Sequence, residues 1–350
     1  AIVAGSQGSV QIADSGTVFG EIPITYTGPD TNVVNDGTII AEDVGIFVEG
    51  DLNPFVFDAA FVNNGSMQSN GTGILIKLSS FLDIENHGNI TTNGRVILSN
   101  TTVELSNSGS IRSVDNTAID AFEGGNTIFN SGSIEALLDA IDLGRNSSPN
   151  VVVNDGSIIS RTRSAVDMYN DQSTGDRFVN RGIVEADDRA LTAGGAETFI
   201  YNSGIMTAST LGAIGVDFAD GGQLVNDGEI FGQDYAVWFE GNDFSIENSG
   251  IMSSPGEYVL RMTARSPDAV AYLNNSGSIV KTSSAIAGNA IVGDLFGDQI
   301  EEINNSGSII GGINLGGEND KVVNRGVIEG QTHLGSGNDV FDGVGGDTRG

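Results

Sequence analysis

The chain has 350 residues and no cysteine, and 15 Lys+Arg against 46 Asp+Glu give it a formal charge of −31 at pH 7. That balance excludes nucleic acid, anionic membranes and polyuronates as partners, since each demands a basic footprint; the missing cysteines exclude disulfides and thiolate metal sites. No apolar run approaches the ~20 residues of a membrane-spanning helix, so membrane insertion is not expected.

From the N-terminus onward one short phrase occurs fourteen times: an apolar residue, a spacer, Asn, any residue, Gly, any residue, and another apolar residue. The first copy runs from Ile12 to Val18, with Asp14 in the Asn place. The others carry Asn35, Asn63, Asn86, Asn107, Asn130, Asn154, Asn180, Asn202, Asn226, Asn248, Asn275, Asn305 and Asn324. The mean period is about 24 residues, which means stacked copies of one small unit. One domain spanning residues 1–350 is therefore expected, against the two or three that length alone suggests. Two residues before each Asn stand Val33, Phe61, Ile84 and their counterparts; four residues after it stand Ile39, Met67, Ile90 and theirs. These positions share parity with the Asn and the Gly, so on a strand all four face one side, while the residues between them face solvent.

Inside each period a second alternating stretch follows, as in Ala118-Ile-Asp-Ala, Ala140-Ile-Asp-Leu, Ala165-Val-Asp-Met, Ala213-Ile-Gly-Val and Ala236-Val-Trp-Phe. It ends in polar Gly/Asn/Asp clusters such as Glu123-Gly-Gly-Asn. Short strands between turn clusters, with no helical period, predict an all-β fold. The architecture expected is a right-handed parallel β-helix (β-solenoid) of about fourteen rungs of ~24 residues; a leucine-rich horseshoe would need a helical half that is missing. At the Asn-x-Gly corner, both residues are expected to use the left-handed backbone region. Stacked Asn amides would hydrogen-bond from rung to rung as a ladder, offsetting the cost of burying them.

Phrases such as Val34-Asn-Asp-Gly-Thr-Ile, Phe129-Asn-Ser-Gly-Ser-Ile and Asn304-Asn-Ser-Gly-Ser-Ile resemble the repeats of bacterial autotransporter passengers and large surface adhesins. That likeness covers essentially the whole chain and implies a secreted, extracellular surface protein. Within residues 313–350, Leu315-Gly-Gly-Glu-Asn-Asp-Lys-Val-Val and Leu334-Gly-Ser-Gly-Asn-Asp-Val-Phe-Asp resemble the RTX nonapeptide. The resemblance implies calcium between neighbouring turns, held around Gly317, Asn319, Asp320, Gly337, Asn338 and Asp339. Both copies have Leu in place of the first Gly, and Glu318 replaces the fourth-position Gly. The alternative is a plain Gly-Asn-Asp corner, as at Gly241-Asn-Asp-Phe.

Catalysis leaves little trace. A glycosidase needs two facing carboxylates, and neither Asp187-Asp188 nor Glu301-Glu302 stands apart from a solvated acidic face. Basic residues form no cluster beyond Arg161-Thr-Arg163; Lys77, Lys281 and Lys321 are scattered. The two histidines, His87 and His333, read as exposed spacers without a metal-spaced companion. No catalytic residue is expected, and no cofactor besides calcium.

Two irregular regions invite function, because insertions in solenoids become surface loops: Asn35 to Asn63, with Asn53-Pro-Phe-Val-Phe, and Asn248 to Asn305. Trp238, with Tyr235 and Phe239 on its rung, is expected to pack inside a widened rung, with an aromatic carbohydrate contact as the alternative. Sequons occur at Asn70-Gly-Thr and Asn146-Ser-Ser. The start at Ala1 hints at a removed leader. No amphipathic capping helix is evident at either end, so the stack is expected to continue into a longer chain or to assemble end to end with copies of itself. The function expected is structural and non-enzymatic, either an extracellular filament subunit or an adhesin stalk with a glycan or cell-surface ligand. The alternative is a polysaccharide-binding or polysaccharide-degrading β-helix; an ice-binding solenoid is disfavoured because no regular Thr ladder faces outward.

Overall fold

The structure, a computed structural model, describes residues 2–5, 8–27, 31–49, 58–77, 81–144, 148–169, 172–217, 219–264, 266, 269–283, 288–293 and 299–350. Among the described residues every element is a strand. The chain forms two compact units, Ala1–Met168 and Tyr169–Gly350. In both, a rung consists of three short strands, each belonging to a different parallel sheet. A rung of the first unit illustrates this, with Val44–Glu49 in the first sheet, Asp58–Asn63 in the second and Ser66–Ser69 in the third.

Register stacks like on like. In the first unit the first sheet aligns Ile46, Ile74, Ile97, Ile119, Ile141 and Val166. The second aligns Val33, Phe61, Ile84, Leu105, Ile128 and Val152. The third aligns Ile39, Met67, Ile90, Ile111, Ile134 and Ile158. The second unit repeats the pattern with Leu191 to Ile313, Phe178 to Val322 and Val184 to Ile328. All of these aligned side chains are buried. Burying one such aliphatic side chain contributes about 1.5–3 kcal/mol, so the columns are the main stabilising element of each unit.

The expected parallel β-solenoid of about fourteen short rungs is what the strands form, and two finer expectations change, at Asp14 and at the corner glycines. Among the described residues the second sheet has seven strands in the first unit and eight in the second, one more than the marked phrases. The additional strand, Val340–Asp342, is followed by Gly343 where an Asn would stand. Asp14 does not occupy the Asn position: Ile12 pairs with Asn35 and Thr17 with Thr38, because the first turn is two residues longer than the others. Asp14 therefore lies exposed in that turn.

The corner glycines also act differently from expectation. Among the described residues, none of the glycines two after a ladder Asn has a positive φ. A Cβ added to Gly88, Gly109, Gly132 or Gly156 would instead collide with the carbonyl oxygen of the corresponding Gly one rung before. Glycine is required there because the backbones approach too closely for any side chain. The Asn is the last residue of its strand, in extended backbone.

Asn53-Pro-Phe-Val-Phe and the Asn146 sequon lie outside the described residues, as do 284–287 and 294–298 of the Asn275–Asn305 interval. The spacing of the described strands locates the length variation. From Asn35 onward the third-sheet strand begins three residues after the Asn in every rung. The passage from first to second sheet varies instead, from Ser99–Val103 to Glu49–Asp58.

Candidate functional site

Three places carry chemistry beyond apolar packing. The first is the Asn corner. In the first unit each amide Nδ2 donates to Oδ1 of the next rung's Asn: Asn35 to Asn63, Asn63 to Asn86, Asn86 to Asn107, Asn107 to Asn130 and Asn130 to Asn154, all at 2.7 Å. The second unit continues from Asn180 through Asn202, Asn226, Asn248, Asn275 and Asn305 to Asn324 at 2.7–2.9 Å. Nδ2 also reaches the carbonyl of its own Gly two residues on, and the carbonyl that opens the next rung's third strand, as Asn86 does with Gly88 and Ser110. One buried side chain thus ties a turn to itself and to its successor. The column starts at Asn35, whose buried Oδ1 has no partner because Ile12 stands on the preceding rung. At Asn324 the amide donates to the Asp347 carbonyl and Thr348 Oγ1.

The second place is the opposite corner, four residues before each Asn. Oδ1 of a side chain here accepts the backbone N–H of the equivalent residue one rung before. Val103 N–H reaches Asn126 (2.8 Å) and Asn126 N–H reaches Asn150 (3.1 Å). The RTX-like residues fall in this column. Glu301 N–H reaches Asp320 Oδ1 (2.9 Å), and Asp320 N–H reaches Asp339 Oδ1 (3.1 Å). Beside them Gly317 bridges Ser336, the Asn338 N–H donates to Asn319 Oδ1 (2.9 Å), and Gly337 has φ +149°. The six residues therefore come together on adjacent turns, and Asp320 and Asp339 already serve as backbone acceptors.

Glu301, expected on a solvated face, is fully buried, as are Asp320 and Gln299. Burial pushes the Asp320 carboxyl above the ordinary carboxylate range, opposed by hydrogen bonds from Glu301. Two carboxyls so placed require a proton or a cation between them. Among the described residues no three His, Asp or Glu side chains are grouped to hold a metal ion. Among the described residues Asp320 Oδ2, buried without a hydrogen-bond partner, is a donor atom that fits such a cation.

The third place lies in the second unit, on the outer face of the first sheet. Trp238 is not inside its rung. Val237 and Phe239 face inward, while Trp238 points out, half-buried, in register with Gly215 and Thr192 before it and Arg261 after it. Arg261 lies 5.1 Å from the indole centroid, Tyr235 meets the indole edge-on at 6.2 Å, and Nε1 donates to Thr263 Oγ1 at 3.3 Å.

Two glycines of the strand Gly212–Asp217 shape the surroundings. A Cβ on Gly212 would strike the Tyr235 ring, so Gly212 lets that ring lie across the preceding rung. Its hydroxyl then accepts from Arg189 Nε at 3.1 Å. Gly215 leaves room for the Arg189 side chain to lie over it beside Trp238, and a cleft of about 200 Å³ opens there, bounded by Arg189, Asp217, Trp238 and Glu240. Behind it Tyr258 stacks on Tyr235 at 5.6 Å; burial pushes the Tyr258 hydroxyl up, opposed by Arg261.

The remaining candidates are occupied elsewhere. Arg161 forms a two-point contact with Glu135 (2.9 and 3.2 Å), and Arg163 pairs with Asp139 (3.5 Å). Lys77 caps the Phe47 ring, and Lys321 pairs with Glu302 at 3.8 Å. Lys281 faces inward and donates to the Gly256 and Ser283 carbonyls, and burial lowers its pKa. Asp187 accepts from Ser209 and Thr210. His87 contacts Ser108 and Glu85 on the surface, and His333 pairs with Asn314 in the first sheet, away from the Asn corner.

Comparison with protein-family models, with curated proteins and with solved structures returned no match. What defines this chain is its fold, a parallel β-solenoid of stacked rungs with Asn ladders.

Proposed function

We propose that this chain is a non-enzymatic, secreted structural protein of a bacterial surface, serving as a filament subunit or as an adhesin stalk. The observation that carries the reading is the ladder, with five successive Asn–Asn bonds in the first unit and six in the second. An active site would be expected to interrupt such regularity; a load-carrying solenoid has no reason to. Every rung offers its neighbour the same parallel backbone edge, so a rung from a second chain can be added by the same backbone pairing. The charge of −31 keeps the lateral faces soluble and mutually repulsive, which favours growth along the stack over bundling.

Calcium at the turns around Asp320 and Asp339 belongs to this proposal. It is supported by the buried Asp320 Oδ2 and by the Glu301 carboxyl beside it. A cation there would offset the buried negative charge and tie the last turns together.

Electron microscopy of the purified protein at high concentration, with and without calcium, separates the two forms. Filaments of constant width support the subunit form, whereas a protein that stays monomeric with calcium leaves the stalk. Release of sugars from a panel of polysaccharides would overturn the non-enzymatic reading. One observation favours sugar binding as a second role, namely the cleft beside Trp238.

A further inference from the structure

Two kinds of surface depression stand out among the described residues. Grooves at the Asn corner recur in both units, lined by the same spacer positions: His87, Ser108 and Ser131 in one, Asp227, Ser249 and Ser276 in the other. A groove that repeats with the rung belongs to the backbone. The cleft at Trp238 is made by a single glycine in an outward column and by side chains of unlike chemistry. We propose that this cleft is a binding site for one uncharged pyranose ring of a glycan. The inference stands independently of the filament or stalk reading.

Chemistry selects the ligand. Pockets that recognise small molecules combine apolar, usually aromatic, walls with a few fixed polar groups. A pyranose is a disc with C–H bonds on its faces and hydroxyls around its rim. Trp238 supplies the flat apolar wall, with Gly215 adding no side chain of its own between the indole and Arg189. Around the rim Asp217 and Glu240 accept hydroxyl hydrogens, and Arg189 donates to hydroxyl or ring oxygens. At about 200 Å³ the cleft falls below the ~300–1,000 Å³ typical of drug-sized ligands, which limits it to a single ring.

An acidic sugar would meet Asp217, Glu240 and the field of a chain carrying −31. An amino sugar or other organic cation would meet Arg189 inside the cleft and Arg261 against the indole.

The wall is also pre-organised. Arg261, the Tyr235 edge and the Thr263 hydroxyl fix the indole before any ligand arrives, and Tyr235 holds Arg189. Fixing a binding group in advance removes part of the entropic cost of association.

Trp238 is the only tryptophan in the chain, so fluorescence excited beyond the tyrosine absorption band reports on this cleft alone. Methyl glycosides of neutral, acidic and amino hexoses are titrated against the full chain. The expected result is a saturable change with neutral pyranosides, in the millimolar range suited to one ring, that weakens at least about tenfold in Gly215→Val. Response to charged sugars only, response to none, or unchanged affinity in Gly215→Val would each overturn the proposal. Should Gly215→Val melt below the parent, Glu240→Gln replaces it, with an expected loss of about fivefold and the same overturning outcome if affinity is unchanged.

Discussion

Between the second and third sheets the chain turns in one fixed step at every rung from Asn35 to Asn324, whereas between the first and second sheets the strand spacing runs from Ser99–Val103 to Glu49–Asp58. The fixed corner keeps Asn at each stacked position from Asn35 to Asn324. At the variable corner the stacked position changes from Thr31, Val103, Asn126 and Asn150 to Asp176, Phe244, Glu301 and Asp320. Backbone proximity explains the contrast. Where one Gly carbonyl lies directly against the next Gly, neither an extra residue nor a side chain fits, and the Asn has three defined acceptors to serve. At the open corner a rung's N–H can be met by Asn or Asp, or the position can be filled by Phe. Variation collects where geometry permits it, and the buried carboxyls stand at that corner.

The comparison breaks most directly at the glycines. Gly109→Ala should cost about 3 kcal/mol, because backbone must move on both rungs; a loss below about 1 kcal/mol would show that the corner is not close-packed. Asn107→Leu should cost about 2 kcal/mol by stranding the Asn86 donor and the Asn130 acceptor. Both are read by thermal unfolding together with hydrogen exchange of the flanking rungs, since repeat arrays need not unfold in one step. The matching change at the open corner, Asn126→Leu, should also cost about 2 kcal/mol, because the buried Asn126 accepts from Val103 N–H and donates to the Glu123 carbonyl and Asn150 Oδ1. A loss below about 1 kcal/mol at Asn126 would show that these bonds carry little at the open corner.

The smallest effect sharpens the acidic end of the open corner. The folded-state pKa of Asp320 is raised by burial, so the folded chain holds that proton more tightly than the unfolded chain does. The stabilising contribution is complete below the ordinary carboxylate pKa and is lost as pH rises through the raised value. In chelator, Asp320→Asn should therefore be more stable than the parent at pH 7, by about 1 kcal/mol, with the gap closing on acidification. The Asn keeps the acceptor for Glu301 N–H, as Asn126 does for Val103. Calcium should stabilise the parent and leave the variant unmoved.

Much of this was legible in residue order. Parity alone gave the apolar columns and the inward Asn, because alternation is a property of any strand. It also held the orientation of Trp238: in Ala236-Val-Trp-Phe the indole stands where Ala140-Ile-Asp-Leu and Ala165-Val-Asp-Met carry Asp, an outward position. Size argued for burial there, and register decides otherwise. Asp14 was illegible because two extra residues in the first turn preserve the look of the phrase while shifting its pairing by two. Glu301 was hidden differently. Its inward column is defined by distance from the following Asn, and the 30-residue interval before Asn305 obscures which turn residue starts the strand.

Every ladder bond runs the same way, from the amide of one rung to the carbonyl oxygen of the next in sequence. Reversing a single Asn would set oxygen against oxygen on one side and NH₂ against NH₂ on the other, so no amide can flip alone. The column of each unit is therefore a collective object with two states, all forward or all reversed, and the backbone carbonyls at each Gly favour the forward one. Its amide dipoles add along the stack, giving the solenoid an electrical polarity that runs down a side-chain column, whereas an α-helix carries its own in the backbone.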